Sequence, residues 1–166
     1  EIINRRVGEN ELQAIATVHA YVDAQRNYAA ADHDGDGVLE YAQKLVSSEG
    51  KTDGLYWPIE LGKGDSPAGP SINQAALGKA KAQGYFGYHF RILTGQGNQV
   101  AGGRYDYVIN GNMIAGFALI AWPVNYAQSG VKTFEVSHAG IVYEKDLGPD
   151  TEAIANGIFR FDPDKS

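Results

Sequence analysis

Apolar positions recur with helical spacing in the front half of the chain and with strand spacing in the back half. Residues 11–31 are rich in Ala and contain neither Gly nor Pro. Leu12, Ile15, His19, Val22 and Arg26 fall on one stripe there, beside Ala16 and Ala20. The pattern predicts one helix of about twenty residues, about 30 Å long. Asn10 is its expected N-cap, with Gln13 as the reciprocal partner. His19, on the stripe, is expected to be half-buried and hydrogen-bonded. An acidic loop closes this helix. A second, shorter helix is predicted over 39–48, with Gly50 as its stop. Leu55-Tyr56-Trp57-Pro58 and a Gly- and Pro-rich loop over 62–70 follow. Ser71 then caps a predicted third helix over 72–83, which Gly84 ends.

From Tyr85 the period becomes two. Residues 85–93 read as a strand and 95–104 as a Gly-rich loop. Residues 105–109 and 112–122 make a hairpin, because Asn110-Gly111 supplies the positive φ angles of a tight turn. Residues 131–136 and 141–145 make a second hairpin through His138-Ala139-Gly140. A short last helix starts near Leu147-Gly148-Pro149-Asp150 and stops at Gly157, leaving Phe159 and Phe161 in the tail. Helices first and strands after define an α+β fold. The expected architecture is one domain over 1–166: a helical half of about 9–83, a sheet half of about 84–146, and a C-terminal helix and tail over 149–166. The long N-terminal helix and the short helices would pack on an antiparallel sheet of about four to five strands. The alternation in Thr133-Phe134-Glu135-Val136 leaves one face of that sheet wet.

The candidate chemistry lies in Asp32-His33-Asp34-Gly35-Asp36-Gly37-Val38-Leu39-Glu40. Asp32, Asp34 and Asp36 occupy positions one, three and five of a calcium loop of the Asp-x-Asp-x-Asp-Gly type. Gly37 makes the turn at six, the Val38 carbonyl serves at seven, and Leu39 at eight faces the core. Glu40 falls at nine. Gln43 stands at twelve, where a bidentate Glu is the rule, so Glu40 is expected to complete the shell directly or through water. Close-set acids repel one another, and a divalent cation relieves that repulsion. A structural calcium ion is therefore the expected cofactor, with a solvated Asp-Gly turn as the plain alternative. His33 is expected to point to solvent.

Composition narrows the remaining classes. The formal charge of −6 and the scattered basic residues argue against a nucleic-acid surface. No cysteine is present, which excludes disulfides, thiolate metal sites and thiol catalysis. No apolar run approaches the about 18 residues of a membrane span. The four histidines have no zinc spacing, and no Gly-x-Ser-x-Gly or Ser-x-x-Lys motif frames a nucleophile. Trp57, Tyr85, Tyr88, Trp122 and Tyr126 are a candidate aromatic groove for a sugar or peptide, although amphipathic rings more often cover a sheet. An enzyme would have to be built from acids such as Asp106, Glu135 and Asp146, which share no informative spacing. The chain begins with Glu1 rather than Met, so a processed or truncated product is expected.

The stretches 20–26, 36–43, 84–97, 116–123, 143–151 and 161–166 together resemble a bacterial family catalogued as domain of unknown function 2950; Tyr143-Glu144-Lys145-Asp146-Leu147-Gly148-Pro149-Asp150-Thr151 and Phe161-Asp162-Pro163-Asp164-Lys165-Ser166 are the distinctive ones. The resemblance implies an exported protein, periplasmic or extracellular, with an N-terminal signal and an upstream segment beyond this sequence. It also implies possible continuation past Ser166. It brings no assigned activity. A looser plan is similar to the globular part of type IV pilin-like proteins. It comprises the long first helix, Tyr88-His89-Phe90-Arg91, and the hairpin with Phe134, Val136, Gly140, Val142 and Tyr143. Some such proteins carry structural calcium. The charged segment 1–8 departs from their apolar polymerisation segment, so pilus-style assembly is not expected. The expected role is a non-catalytic structural or binding module of the cell envelope or surface, with a cell-surface protein or glycan as partner. A self-associating filament subunit is the alternative, and a carbohydrate-active or hydrolytic enzyme stands behind both.

Overall fold

The computed structural model describes residues 2–69 and 84–164. The predicted helix over 72–83 lies outside the described residues. The first element is a helix, α1 (Ile2–Tyr28). It begins well before Asn10, which is no cap. The Asn10 side chain donates to the Ser129 carbonyl at 2.9 Å, and the Glu11 carboxylate accepts from the Val131 amide at 3.0 Å. These tertiary bonds hold the helix through its outer turns, where nothing in residues 2–10 breaks it.

The buried stripe of α1 is Ala14, Thr17, Val18, Tyr21, Val22, Ala24, Gln25 and Tyr28. Of the expected stripe only Val22 is buried; Leu12 is 70% exposed, and His19 and Arg26 are exposed. Small and hydrogen-bonding side chains won over the larger aliphatic ones. Tyr21 donates to the Ala118 carbonyl at 3.1 Å, and Gln25, fully buried, makes a two-way pair with the backbone of Ala42. In that pair the Gln25 amide donates at 2.8 Å and its carbonyl accepts at 2.7 Å.

That pair also explains why no helix forms over 39–48. The Ala42 amide goes to Gln25 and the Tyr41 amide to the Met113 carbonyl at 2.9 Å, so neither can close a helical turn. The segment runs extended, with isolated bridges Tyr41 to Met113 and Val46 to Tyr56. Leu39 consequently stands 58% exposed instead of facing the core. A single 3-10 turn follows at Ile59–Leu61.

The back half is antiparallel as the pattern predicts, but two strands differ in extent. The one expected over 85–93 starts at Tyr88, and the one expected over 112–122 breaks at 114–117, where the Ile114 and Ala115 amides both turn to the Tyr107 carbonyl at 3.1 Å. The main sheet contains β1 (Tyr88–Leu93), β6 (Ala118–Pro123), β7 (Lys132–Ser137) and β8 (Val142–Asp146), antiparallel throughout in that order. Two small pairs sit beside it: β2 (Gly95–Gln96) with β3 (Tyr105–Asp106), and β4 (Val108–Ile109) with β5 (Asn112–Met113). Asn110 and Gly111 turn the latter at φ 51° and 82°, as the Asn-Gly signal requires. The last helix is α2 (Thr151–Asn156), and Gly157 follows it.

Register fixes the two faces of the sheet. Arg91, Ile120, Glu135 and Tyr143 oppose one another in one row across β1, β6, β7 and β8, so their side chains share a face. Arg91 donates to the carbonyls of Ala155 (2.7 Å) and Ile158 (2.5 Å), so this is the face that α2 covers. The opposite face, with Phe134 and Val136, packs on α1. The expected wet face is thus roofed by α2 over β6 and open only over β7 and β8.

Candidate metal centre

The acidic loop begins at Asp32, four residues after the end of α1, and is shaped by its own carboxylates. Asp32 accepts from the amides of Gly35 (2.8 Å), Gly37 (2.9 Å) and Asp34 (3.3 Å). Asp34 accepts from the Asp36 amide at 3.2 Å, and Asp36 from the Val38 amide at 2.7 Å. Gly37 turns at φ 82°, a conformation that disfavours any side chain. The chain curls so that one oxygen from each of Asp32, Asp34 and Asp36 lies within 4.8 Å of the others. These are hard oxygen donors, the kind that calcium takes.

Glu40, half-buried, lies near the triad but is not among its converging oxygens. Its Oε2 is buried and has no hydrogen-bond partner. Loss of water, then the charges of Asp34 and Asp36, push its carboxyl above the usual range. Asp34 is drawn down by the Asp36 amide but ends raised, through lost hydration and through Asp32 and Asp36 beside it. Asp32 is held low, chiefly by the Gly37 amide. Asp34 and Glu40 line a pocket of about 230 Å³ with Tyr28, His33, Gln43 and Asp53. Burial, then Glu40, Asp53 and Asp34, push the Tyr28 phenol up to about 12. An orphaned carboxylate oxygen beside three converging carboxylates is a donor set that a hard divalent cation fits. The chemistry such an ion would supply here is cross-linking of the end of α1 to the extended segment after it.

Other expected ligands are placed as follows. Val38 is half-buried behind the triad, with its amide on Asp36. Gln43 lines the Glu40 pocket, but its amide nitrogen donates to the Gly111 carbonyl at 2.9 Å. The second helix that would have aimed position twelve is absent, as described above. His33 does not point to solvent: it stacks on Tyr28 at 4.0 Å, bonds the Tyr28 carbonyl at 2.9 Å, and lies 5.7 Å from Trp57. Stacking on a ring already fixed in the core is what draws it in.

The five aromatics do not form a groove in the described residues. Trp57, Tyr85, Tyr88 and Trp122 are buried, and Tyr126 is half-buried with its hydroxyl on Asp146 at 2.8 Å. Tyr88 donates to the Lys132 carbonyl at 2.6 Å and Trp57 to the Gly64 carbonyl at 3.0 Å, so these rings bury their bodies and satisfy their polar tips.

Nor do the three acids of the hydrolytic reading converge. Asp106 is exposed and paired with Arg160, and Asp146 is exposed, accepting from Tyr126 and the Gly148 amide. Glu135 alone enters a cleft, one of about 540 Å³ over the open part of the outer sheet face. Thr133 and Glu135 form its floor, β8 one wall, and the segment from Gly157 to Asp164 the other. No local motif marks this cleft, since β7, β8 and the tail are apart in sequence. Its one trace in the sequence is the polar face of β7, Thr133 and Glu135.

The fold is α+β, one four-stranded sheet with two small strand pairs, and an Asp-x-Asp-x-Asp-Gly loop follows its long helix. The family model described as protein of unknown function (DUF2950) matches residues 1–166, and the chain belongs to that family. No curated protein and no solved structure matches the chain. Among the described residues no helix is long and apolar enough to cross a membrane.

Proposed function

We propose that this chain is a calcium-stapled, exported, non-catalytic module that serves the bacterial cell envelope or surface in a structural or binding role. The observation that carries the reading is the loop itself: three Asp oxygens within 4.8 Å, with the unpartnered Oε2 of Glu40 buried beside them. The cation would tie α1 to a segment that has no regular ladder of its own. Calcium suits the site better than magnesium, which holds several waters and demands a stricter octahedron. Outside the cytoplasm calcium is near millimolar, so even a weak site stays filled. Isothermal titration of calcium into chelator-treated protein tests this: one ion per chain supports it, and heat no greater than dilution overturns it. Asp34→Ala with Asp36→Ala removes the binding.

A second reading, self-association, draws on the outer half of α1, where Ile2, Ile3 and Leu12 are 86%, 48% and 70% exposed. Size-exclusion chromatography across concentration separates the two: a strict monomer leaves the module reading alone.

A further inference from the structure

The cleft over β7 and β8 has an unpartnered carboxylate at its floor and apolar walls. The Thr133 residue is only 5% exposed, and its hydroxyl, buried, has no hydrogen-bond partner. Two positions along the same strand face, the Glu135 carboxylate is met by no hydrogen bond and no ion pair among the described residues. The charged neighbours are engaged elsewhere. Arg160 pairs with Asp106 and donates to the carbonyls of Gln96 and Tyr105. Lys145 pairs with Asp164 at 3.4 Å, and Asp162 accepts from the Gln99 amide at 2.8 Å. Arg91, in the same row of the sheet, is held by α2. Glu144 adds a further negative charge at the rim. The walls are apolar: Tyr143, Leu147, Ile158 and Phe159, the last 68% exposed.

We propose that this cleft binds an alkylammonium group, its charge on the Glu135 carboxylate and its methylene stem between Phe159 and Tyr143. Charge complementarity selects the occupant: the floor offers an unpartnered carboxylate, the lining carries net negative charge, and the walls reward an apolar stem. The volume of about 540 Å³ is that of a small-ligand site. Lost hydration, then the charges of Asp162 and Asp164, push the Glu135 carboxyl up to about 7, and a bound cation relieves all three. The ammonium could belong to a free amine or to a lysine side chain of another protein; the chemistry is the same.

The test is a calorimetric titration at about pH 8, where Glu135 is ionised, with n-hexylamine, Nα-acetyl-lysine methylamide and n-hexanol as probes. It is run with calcium and again after chelation, so that a failed calcium site leaves the result readable. Binding of either amine supports the proposal, and the tighter one identifies the source. Affinity should fall about tenfold or more at about pH 5.5, as Glu135 takes up a proton, and in Glu135→Gln. The proposal is overturned if neither amine binds below about 10 mM, if hexanol binds as tightly as hexylamine, or if Glu135→Gln binds as tightly as the parent.

Discussion

Glu135→Gln should stabilise this protein at alkaline pH and leave it almost unchanged at acid pH. The Glu135 carboxyl rises from an ordinary 4.5 to about 7, because β7 carries it into a cleft with little water and with Asp162 and Asp164 nearby. Between those two values the folded protein holds a proton that the unfolded chain has already released. Folding then takes up a proton, so stability falls as pH rises through that window. Once both states are ionised the loss is about 3 kcal/mol, at about 1.4 kcal/mol per tenfold change in proton affinity. Glutamine keeps the size and never ionises. Urea unfolding followed by fluorescence of the buried Trp57 and Trp122 gives the comparison, at about pH 5 and about pH 8. The variant should exceed the parent by less than about 1 kcal/mol at the lower pH, where only the unfolded carboxyl has begun to ionise, and by about 3 kcal/mol at the higher. In a chain of this size that gain is roughly 6 to 12 °C in melting temperature. A variant-to-parent difference that is the same at both pH values would refute the reasoning, since only titration of Glu135 makes it pH-dependent.

Three further substitutions test the fold. Gln25→Leu strands the amide and carbonyl of Ala42 in the core and should cost about 2 to 4 kcal/mol in urea unfolding. Leu39→Ser, at a site 58% exposed, should change stability by no more than about 0.5 kcal/mol, whereas a core-facing Leu39 would cost several times that. Asn10→Ala should cost about 1 kcal/mol through the lost bond to Ser129 yet leave helicity by circular dichroism intact, because Asn10 caps nothing.

The sheet was the legible part of the sequence, because its signals are local. Asn110-Gly111 dictates its own turn, and the alternation of Phe134 and Val136 with Thr133 and Glu135 sets the faces of β7 without reference to the rest. The helical half depended on distant partners. Where α1 begins and which stripe it buries are set by Ser129, Ala118 and Ala42, contacts over 17 to 119 positions in sequence that no periodicity reports. The same Gln25 contact converts a plausible helix at 39–48 into an extended run. The acidic loop was read from spacing, and the Asp carboxylates do converge, since Asx turns and Gly37 build the curl locally. The orphaned oxygen of Glu40 and the inward His33 were invisible, because each depends on how Tyr28 and its neighbours pack. The cleft at Glu135 was beyond reach for the same reason: its two walls come from β8 and from the chain after α2.

If a cation completes the loop at Asp32, Asp34 and Asp36 with Glu40 beside it, thermal melting of chelator-stripped protein across a calcium titration will report it. At a hundredfold excess over the dissociation constant, binding to the folded state alone adds about 2.7 kcal/mol, or roughly 5 to 10 °C at this chain length. The parent should show a saturable rise of that order, a smaller one with magnesium, and the variant carrying Asp34→Ala and Asp36→Ala none. A parent melting temperature that does not move with calcium, or a double variant that responds as the parent does, would contradict it.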